Sequence, residues 1–354
     1  MAGAVAWCPT GLIGAGLIGA DVKGTVQYRI APVRCGLLVA GLLMVMLALP
    51  ATAREFKVAD SQPSSYPSVQ ALHQMAGTVA ERTDGRHRLK IYDSGQLVHE
   101  AKSIELVRSG VIDLVRFNIA TVHDLIPETR VLGLPYLFKD EAHLLRVLES
   151  SVGTAILAAF ERFDMVGLTY FETSPRSFYT VHGPLRHPND FRGLRMRVSP
   201  STLLTAALET MDAGSIYMPY KQVMTGLSTG LIDGAENNLL GYFETGHYRV
   251  ARFFSRTQTI FSPGILVMSK RVRESLSEKD WLIFRDAASE AVAGMRRHWP
   301  DREIVTGAAL SAEGVEIIDN IDTAPFVAAM QPIYRRFAAE SPVRDLMTRI
   351  QEIP

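Results

Sequence analysis

Two arginines in strand-like, otherwise apolar surroundings are the residues of this sequence best suited to chemistry. Arg176 opens the run Arg176-Ser177-Phe178-Tyr179-Thr180, and Arg197 lies inside Leu194-Arg195-Met196-Arg197-Val198. Alternation along a strand puts Arg195 and Arg197 on the face opposite Met196. A guanidinium in such surroundings requires an anion. That anion is either a ligand carboxylate, gripped by the two-pronged geometry that arginine serves better than lysine, or an acidic side chain in an interlobe salt bridge. Spacing alone leaves both open.

A second constellation is Asp233-Gly234-Ala235-Glu236-Asn237-Asn238. Gly234 allows a turn, and the Asn237 amide can donate to and accept from a hydroxyl or carboxylate. The same residues also read as a plain turn followed by a helix N-cap. Tyr217 and Tyr220 add aromatic surface nearby, although tyrosine more often packs a core than faces a ligand. Catalytic templates fail in turn: H-E-x-x-H, G-x-x-x-x-G-K-[ST] and paired C-x-x-C are all missing from the sequence. The nine histidines are scattered singly, which favours surface or core roles over metal ligation.

The segments that must position these residues begin after a leader. Arg29 and Arg34 precede the apolar run Cys35–Leu49, and Ala51-Thr52-Ala53 follows Pro50 in the small-x-small pattern of an export signal, so cleavage is expected after Ala53. The run is shorter than the roughly 20 residues of a spanning helix, so the exported chain is expected not to be membrane-embedded. Both cysteines, Cys8 and Cys35, lie in this leader, leaving no thiol or disulfide chemistry to the remainder. Gly14-Ala15-Gly16-Leu17-Ile18-Gly19 fits a dinucleotide fingerprint, but no strand of a compact βαβ unit precedes it, and it reads as a Gly-rich apolar stretch. Lys+Arg and Asp+Glu both number 37 in 354 residues, so no basic excess suggests nucleic acid. A ligand must be recognised by local charge.

From Glu55 onward, short β-like runs alternate with amphipathic helical stretches. Strands are expected at Glu55–Ala59, Arg88–Tyr92, Val111–Phe117, Met165–Phe171, Ser177–Val181, Leu194–Val198, Thr257–Ile260 and Ile265–Ser269. Helices are expected at Ser65–Arg82, His99–Arg108, Glu141–Phe163 with a break near Gly153, Thr202–Leu208, Tyr220–Thr229, Ser277–His298 ended by Pro300, and through much of Pro325–Ile350. Such alternation implies an α/β protein with parallel sheets covered on both faces. Two βαβ-type halves without a Ser/Gly-rich linker suggest two lobes joined by hinge strands, with the ligand in the cleft between them.

Taken together, several segments resemble the solute-binding subunit of tripartite ATP-independent periplasmic (TRAP) transporters. They are Ser94-Gly95-Gln96-Leu97, Leu134-Pro135-Tyr136-Leu137-Phe138, Arg176-Ser177-Phe178-Tyr179, Asp190-Phe191-Arg192-Gly193-Leu194-Arg195-Met196-Arg197-Val198, and Asp233 to Asn238, in matching order and spacing. The resemblance covers nearly all of residues 55 to 350. It implies a two-lobed periplasmic binding protein fold with hinge strands and a long lobe-spanning helix. Residues 1–53 form the leader, 54–175 with about 261–305 the first lobe, and 176–260 with about 306–354 the second. It implies no cofactor, and partners limited to a small carboxylate solute and the TRAP membrane subunits.

Residue roles follow from the same resemblance. Arg197 matches the arginine that pairs bidentately with the solute carboxylate, Arg176 a second arginine that often contacts it, and Asn237 the asparagine that fixes it from the other side. Tyr220 matches an aromatic against the ligand, and Glu100, Arg116 and Asn118 lie on first-lobe loops that read the rest of the solute. Arg176-Ser177-Phe178-Tyr179 with Glu236-Asn237-Asn238 and Gly246-His247-Tyr248 looks like members that bind sugar acids such as uronates or aldonates. The chain departs from the family at Val98-His99, where a Gly and an acidic residue are usual. A C4-dicarboxylate would instead want a second cation, for which Arg116 is available. An enzyme, a lyase or epimerase with Glu236 as base, is the alternative of another class.

Overall fold

Among the described residues, eleven strands form two mixed sheets. The computed structural model describes residues 53–171, 174–339 and 341–354. The leader, its cleavage pattern and the Gly14–Gly19 run therefore lie outside the described residues, apart from Ala53. The first sheet holds β1 (Arg54–Asp60), β2 (His87–Tyr92), β3 (Leu114–Asn118), β4 (Met165–Tyr170) and β10 (Gly264–Ser269), in the order β2-β1-β3-β10-β4. The second holds β5 (Pro175–Thr180), β6 (Arg195–Val198), β7 (Gly214–Tyr217), β8 (Gly234–Asn237), β9 (Phe253–Phe261) and β11 (Glu316–Ile318), in the order β11-β9-β5-β8-β6-β7.

The expected all-parallel sheets are not what forms. β1 pairs parallel with β2 and β3, but β10 runs antiparallel to both β3 and β4, and β5 runs antiparallel to β8 and β9. The reason is connectivity. The chain passes from the first sheet to the second between β4 and β5, and returns through Ser262 and Pro263 between β9 and β10. The two passages pair side by side, with Pro175 opposite Phe261 and Ile265 opposite Tyr170. A returning strand beside its outgoing partner is antiparallel to it.

A third connection is the helix Glu278–Ala312, whose 35 residues span about 52 Å at 1.5 Å per residue. Phe284, Ala288, Val292 and Trp299 pack with Phe56, Leu266 and Met268 of the first sheet, whereas Leu310 packs with Tyr179 and Phe254 of the second. Pro300 was expected to end this helix; it lies inside it. A proline removes one backbone bond, but the turns on both sides of it are anchored in core, and Trp299 Nε1 donates to Glu303 Oε1 at 3.1 Å across the site.

Two further expectations shift. The helices near 150 part at Ser150, not Gly153, with a 68° bend; the Ser150 hydroxyl caps the second by accepting from Val152 N at 3.0 Å. Gly153 is inside that helix, where a Cβ would stand 2.0 Å from the Leu148 carbonyl oxygen. Gly234 belongs to a strand rather than a turn, because a Cβ there would meet the Tyr179 carbonyl at 2.5 Å and block the approach of β5 to β8. The N-cap reading survives at Asn238, whose Oδ1 accepts from Gly241 N at 2.7 Å at the head of the helix Leu239–Glu244. Among the described residues no single helix is long and apolar enough to cross a membrane.

Candidate ligand-binding site

Where β1, β3 and β6 end, their carboxyl-terminal residues meet around a narrow cavity. Open α/β sheets bind ligands at the carboxyl ends of their strands, because the loops there are free to vary while the strands hold them still. Arg116, Glu100, Asn118, Arg176, Arg197 and Tyr220, drawn from residues far apart in sequence, all line this cavity. The structure thus brings together six of the seven residues singled out above.

The three arginines differ in their partners. Arg116 stands directly across from Asp60 in the β1–β3 register; its Nε donates to Asp60 Oδ2 at 2.9 Å and its Nη2 to Ser68 Oγ at 3.0 Å. Arg176 Nε donates to Glu236 Oε2, and its Nη2 reaches the Glu236 carbonyl at 3.3 Å. Arg197 forms no ion pair among the described residues. Its Nε donates to the Met218 carbonyl at 3.1 Å, and its guanidinium lies 5.7 Å from the Tyr220 ring centre. Neighbouring Arg195 is paired with an acid, though not across the lobes: it binds Asp233, just ahead of β8, with two prongs, Nε to Oδ2 at 3.0 Å and Nη2 to Oδ1 at 2.7 Å.

On the first-sheet side, Glu100 opens the helix Glu100–Ser109, capped by His99, and its Oε1 accepts from the Asn118 backbone N at 2.6 Å. Its residue surface is half-buried, and it faces the cavity. Burial pushes the Glu100 carboxyl up, against the Asn118 N–H and the charges of Arg116, Arg197 and Arg176, which draw it down. Asn118 itself has an engaged side chain: Oδ1 accepts from Ala120 N at 3.0 Å and Ser262 Oγ at 2.6 Å, and Nδ2 donates to the Ser262 carbonyl at 2.8 Å. It fixes the wall to the β9–β10 passage.

Asn237 stands one layer behind the lining. Its Nδ2 donates to the Tyr220 hydroxyl at 2.8 Å, its Oδ1 accepts from Asn238 N at 2.9 Å, and Gly241 leaves it room. His247 supports the same tyrosine edge-on at 6.0 Å and hydrogen-bonds the Tyr179 hydroxyl through Nδ1 at 2.7 Å. Burial, with Arg197 adding to it, pushes His247 down to about 3, so its imidazole is neutral. Tyr217 lies outside the cavity and half exposed.

Sequence reasoning missed Ser61, Gln62 and Ser199, which also line the cavity. Each lies within two residues of the end of β1 or β6, so the signal was their place just beyond a parallel strand. No group of acidic, histidine or cysteine side chains among the described residues could hold a metal ion.

A match to a known family accounts for this arrangement. Residues 58–341 match the model of the bacterial extracellular solute-binding proteins, family 7. The chain belongs to this family of TRAP solute-binding proteins. A solute-binding protein of Chromohalobacter salexigens is 34% identical over 321 residues, 90% of this chain and 96% of its own. A TRAP periplasmic solute-binding protein of Bradyrhizobium sp. BTAi1, solved with α/β-D-galacturonate, is 37% identical with a TM-score of 0.82, covering 84% of this chain and 100% of its own. One from Chromohalobacter salexigens, solved with D-glucuronate, is 34% identical with a TM-score of 0.82, again over 84% and 100%. The two-lobed architecture of this family is the one seen here.

Proposed function

We propose that this protein is a periplasmic receptor that closes on one monocarboxylic sugar acid, a hexuronate such as galacturonate or glucuronate, and delivers it unchanged to TRAP membrane subunits. The observation that carries the reading is the charge state of the cavity. Arg197 has no acid partner among the described residues, while Arg116 and Arg176 are each held by a carboxylate. One uncompensated guanidinium takes one carboxylate. A C4-dicarboxylate would need a second free cation, and Arg116 is engaged with Asp60. The other lining groups, Ser61, Gln62, Glu100 and Ser199, are suited to hydroxyls. A uronate, the ligand of the two solved relatives, combines one carboxylate with several hydroxyls.

Arg197 is then the carboxylate fork, Arg176 and Tyr220 its flanks, Asn237 their support, and Glu100, Arg116 and Asn118 the wall beside the polyol. Glu236, the base an enzyme would need, is engaged with Arg176, which favours a receptor. The lobes in this reading are 54–175 with about 261–305, and 176–260 with about 306–354, hinged where the chain passes between the sheets. Export after Ala53 is part of the proposal and is read by mass spectrometry of the periplasmic protein.

The test is a thermal-shift and calorimetric screen of D-galacturonate, D-glucuronate and succinate, since a ligand that binds only the folded state raises the melting temperature. The uronates should raise it and be recovered unchanged, and small-angle scattering should show a more compact liganded form. A shift with succinate alone, or turnover of the bound acid, overturns the proposal.

A further inference from the structure

Gln62 lies two residues beyond β1, and its main chain is fixed on both sides: its N donates to Asp60 Oδ1 at 2.8 Å, and its carbonyl accepts from Ser94 N at 2.7 Å. The side chain is only 8% exposed and lines the cavity. Tyr220, whose hydroxyl receives Asn237 Nδ2, lines the same cavity. The amide oxygen, Oε1, is buried without a hydrogen-bond partner among the described residues. Buried carbonyl oxygens are almost always satisfied, so an orphan facing a binding cavity marks a place where a ligand supplies the donor. A carboxylate has no proton to give. A hydroxyl has one.

We propose that Gln62 is a specificity-determining residue that accepts a hydrogen bond from one hydroxyl of the bound sugar acid. The inference rests on the receptor reading above and deepens it. Arg197 selects any small carboxylate, whereas Gln62 selects among carboxylates those with a hydroxyl at one position. A site made to hydrogen-bond a ligand hydroxyl rejects the analogue that lacks it, because the buried acceptor is then left unpaired.

The experiment is calorimetric titration of D-galacturonate and its monodeoxy analogues into the parent, Gln62→Met and Gln62→Glu, with circular dichroism to check folding. In the parent, one deoxy analogue should bind about tenfold to a hundredfold more weakly than galacturonate, the range expected for stranding a buried acceptor. Gln62→Met should bind galacturonate about tenfold more weakly and lose the penalty at that one position while keeping any others. Gln62→Glu retains an acceptor and should keep the penalty, with weaker binding overall from its added charge. The proposal is overturned if no deoxy analogue costs the parent more than about twofold, a result independent of how the variants fold. It is equally overturned if folded Gln62→Met shows the parent's penalty at every position. A parent that binds no sugar acid at all defeats the receptor reading itself, and this inference with it.

Discussion

The two walls of the cavity carry the same kind of residue in opposite circumstances. On the first-sheet wall Arg116 is matched by Asp60, and both side chains are fully buried, at 1% and 0% exposure. On the second-sheet wall Arg197 is nearly as buried, at 4% exposure; it donates to a carbonyl beside an aromatic ring and forms no ion pair among the described residues. An arginine in an apolar strand is therefore no signal of ligand binding by itself. What separates the two roles is whether the neighbouring strand supplies an acid, and the register sets Asp60 across from Arg116 but Ile216 across from Arg197.

The sharpest way to break this comparison is to remove each arginine and measure stability. Arg116→Met leaves the Asp60 carboxylate buried without its guanidinium and should cost about 3–5 kcal/mol, the usual penalty for an uncompensated buried charge. Asp60→Leu in the same chain should recover much of the loss. Arg197→Ala removes a charge that no acid compensates, and should leave the ligand-free protein about as stable as the parent. Urea titrations of all three variants decide it, and equal losses at Arg116 and Arg197 would erase the distinction.

Ligand affinity should show the reverse order. Hydrogen bonds to charged groups contribute roughly 1.5–3 kcal/mol, and burial strengthens them. Folded Arg197→Ala should thus weaken uronate binding at least about a hundredfold, and Arg197→Lys should recover little, because an ammonium lacks the two-pronged geometry. If the alanine variant binds within about threefold of the parent, the carboxylate is held elsewhere and Arg176 becomes the anchor.

Acid should act first through buried histidines rather than through the arginines. His123 and His247 are both pushed down to about 3, each chiefly by burial. A histidine whose folded value lies below its unfolded value of about 6.5 stays neutral in the fold and takes up its proton only on unfolding. Stability is therefore full above about pH 6.5 and lost as pH falls toward 3, by up to about 1.4 kcal/mol per pH unit for each histidine. Melting temperatures from pH 7 to 4 should fall accordingly, and less steeply in His247→Gln. Arg197→Met should raise the His247 value by removing a nearby positive charge, and Arg116→Met should leave it unchanged, as an imidazole NMR titration would read.

Much of this was legible in the sequence because the relevant signals are local. Alternation around Met196 exposed Arg197, and the run from Asp233 to Asn238 marked an N-cap that the fold retains at Asn238. Strand direction was not legible, since period-two hydrophobicity is the same for a strand and its reverse, and β10 gained its antiparallel pairing from a passage set by tertiary contacts. Pro300 misled because a helix anchored in core on both sides tolerates the loss of one backbone bond. Gln62 was invisible for another reason. A glutamine between serine and proline reads as a turn, and its orphaned oxygen emerges only in the fold, where residues far away in sequence such as Arg197 and Tyr220 complete the same cavity.

The smallest expected effect sharpens the second-sheet wall. Family resemblance gives Asn237 a direct hold on the ligand, whereas here its amide donates to the Tyr220 hydroxyl at 2.8 Å, and Tyr220 is the residue that lines the cavity. Tyr220→Phe removes the hydroxyl alone and keeps the ring that faces Arg197, so it should weaken uronate binding by only about threefold to tenfold, the worth of one neutral hydrogen bond. If Asn237 acts through that hydroxyl, then Asn237→Ala and Tyr220→Phe disturb the same link. The double variant should then bind no more weakly than the weaker single one, because residues in one hydrogen-bond network are not additive. Additive losses, measured by calorimetry on folded proteins, would mean that Asn237 reaches the ligand independently of Tyr220.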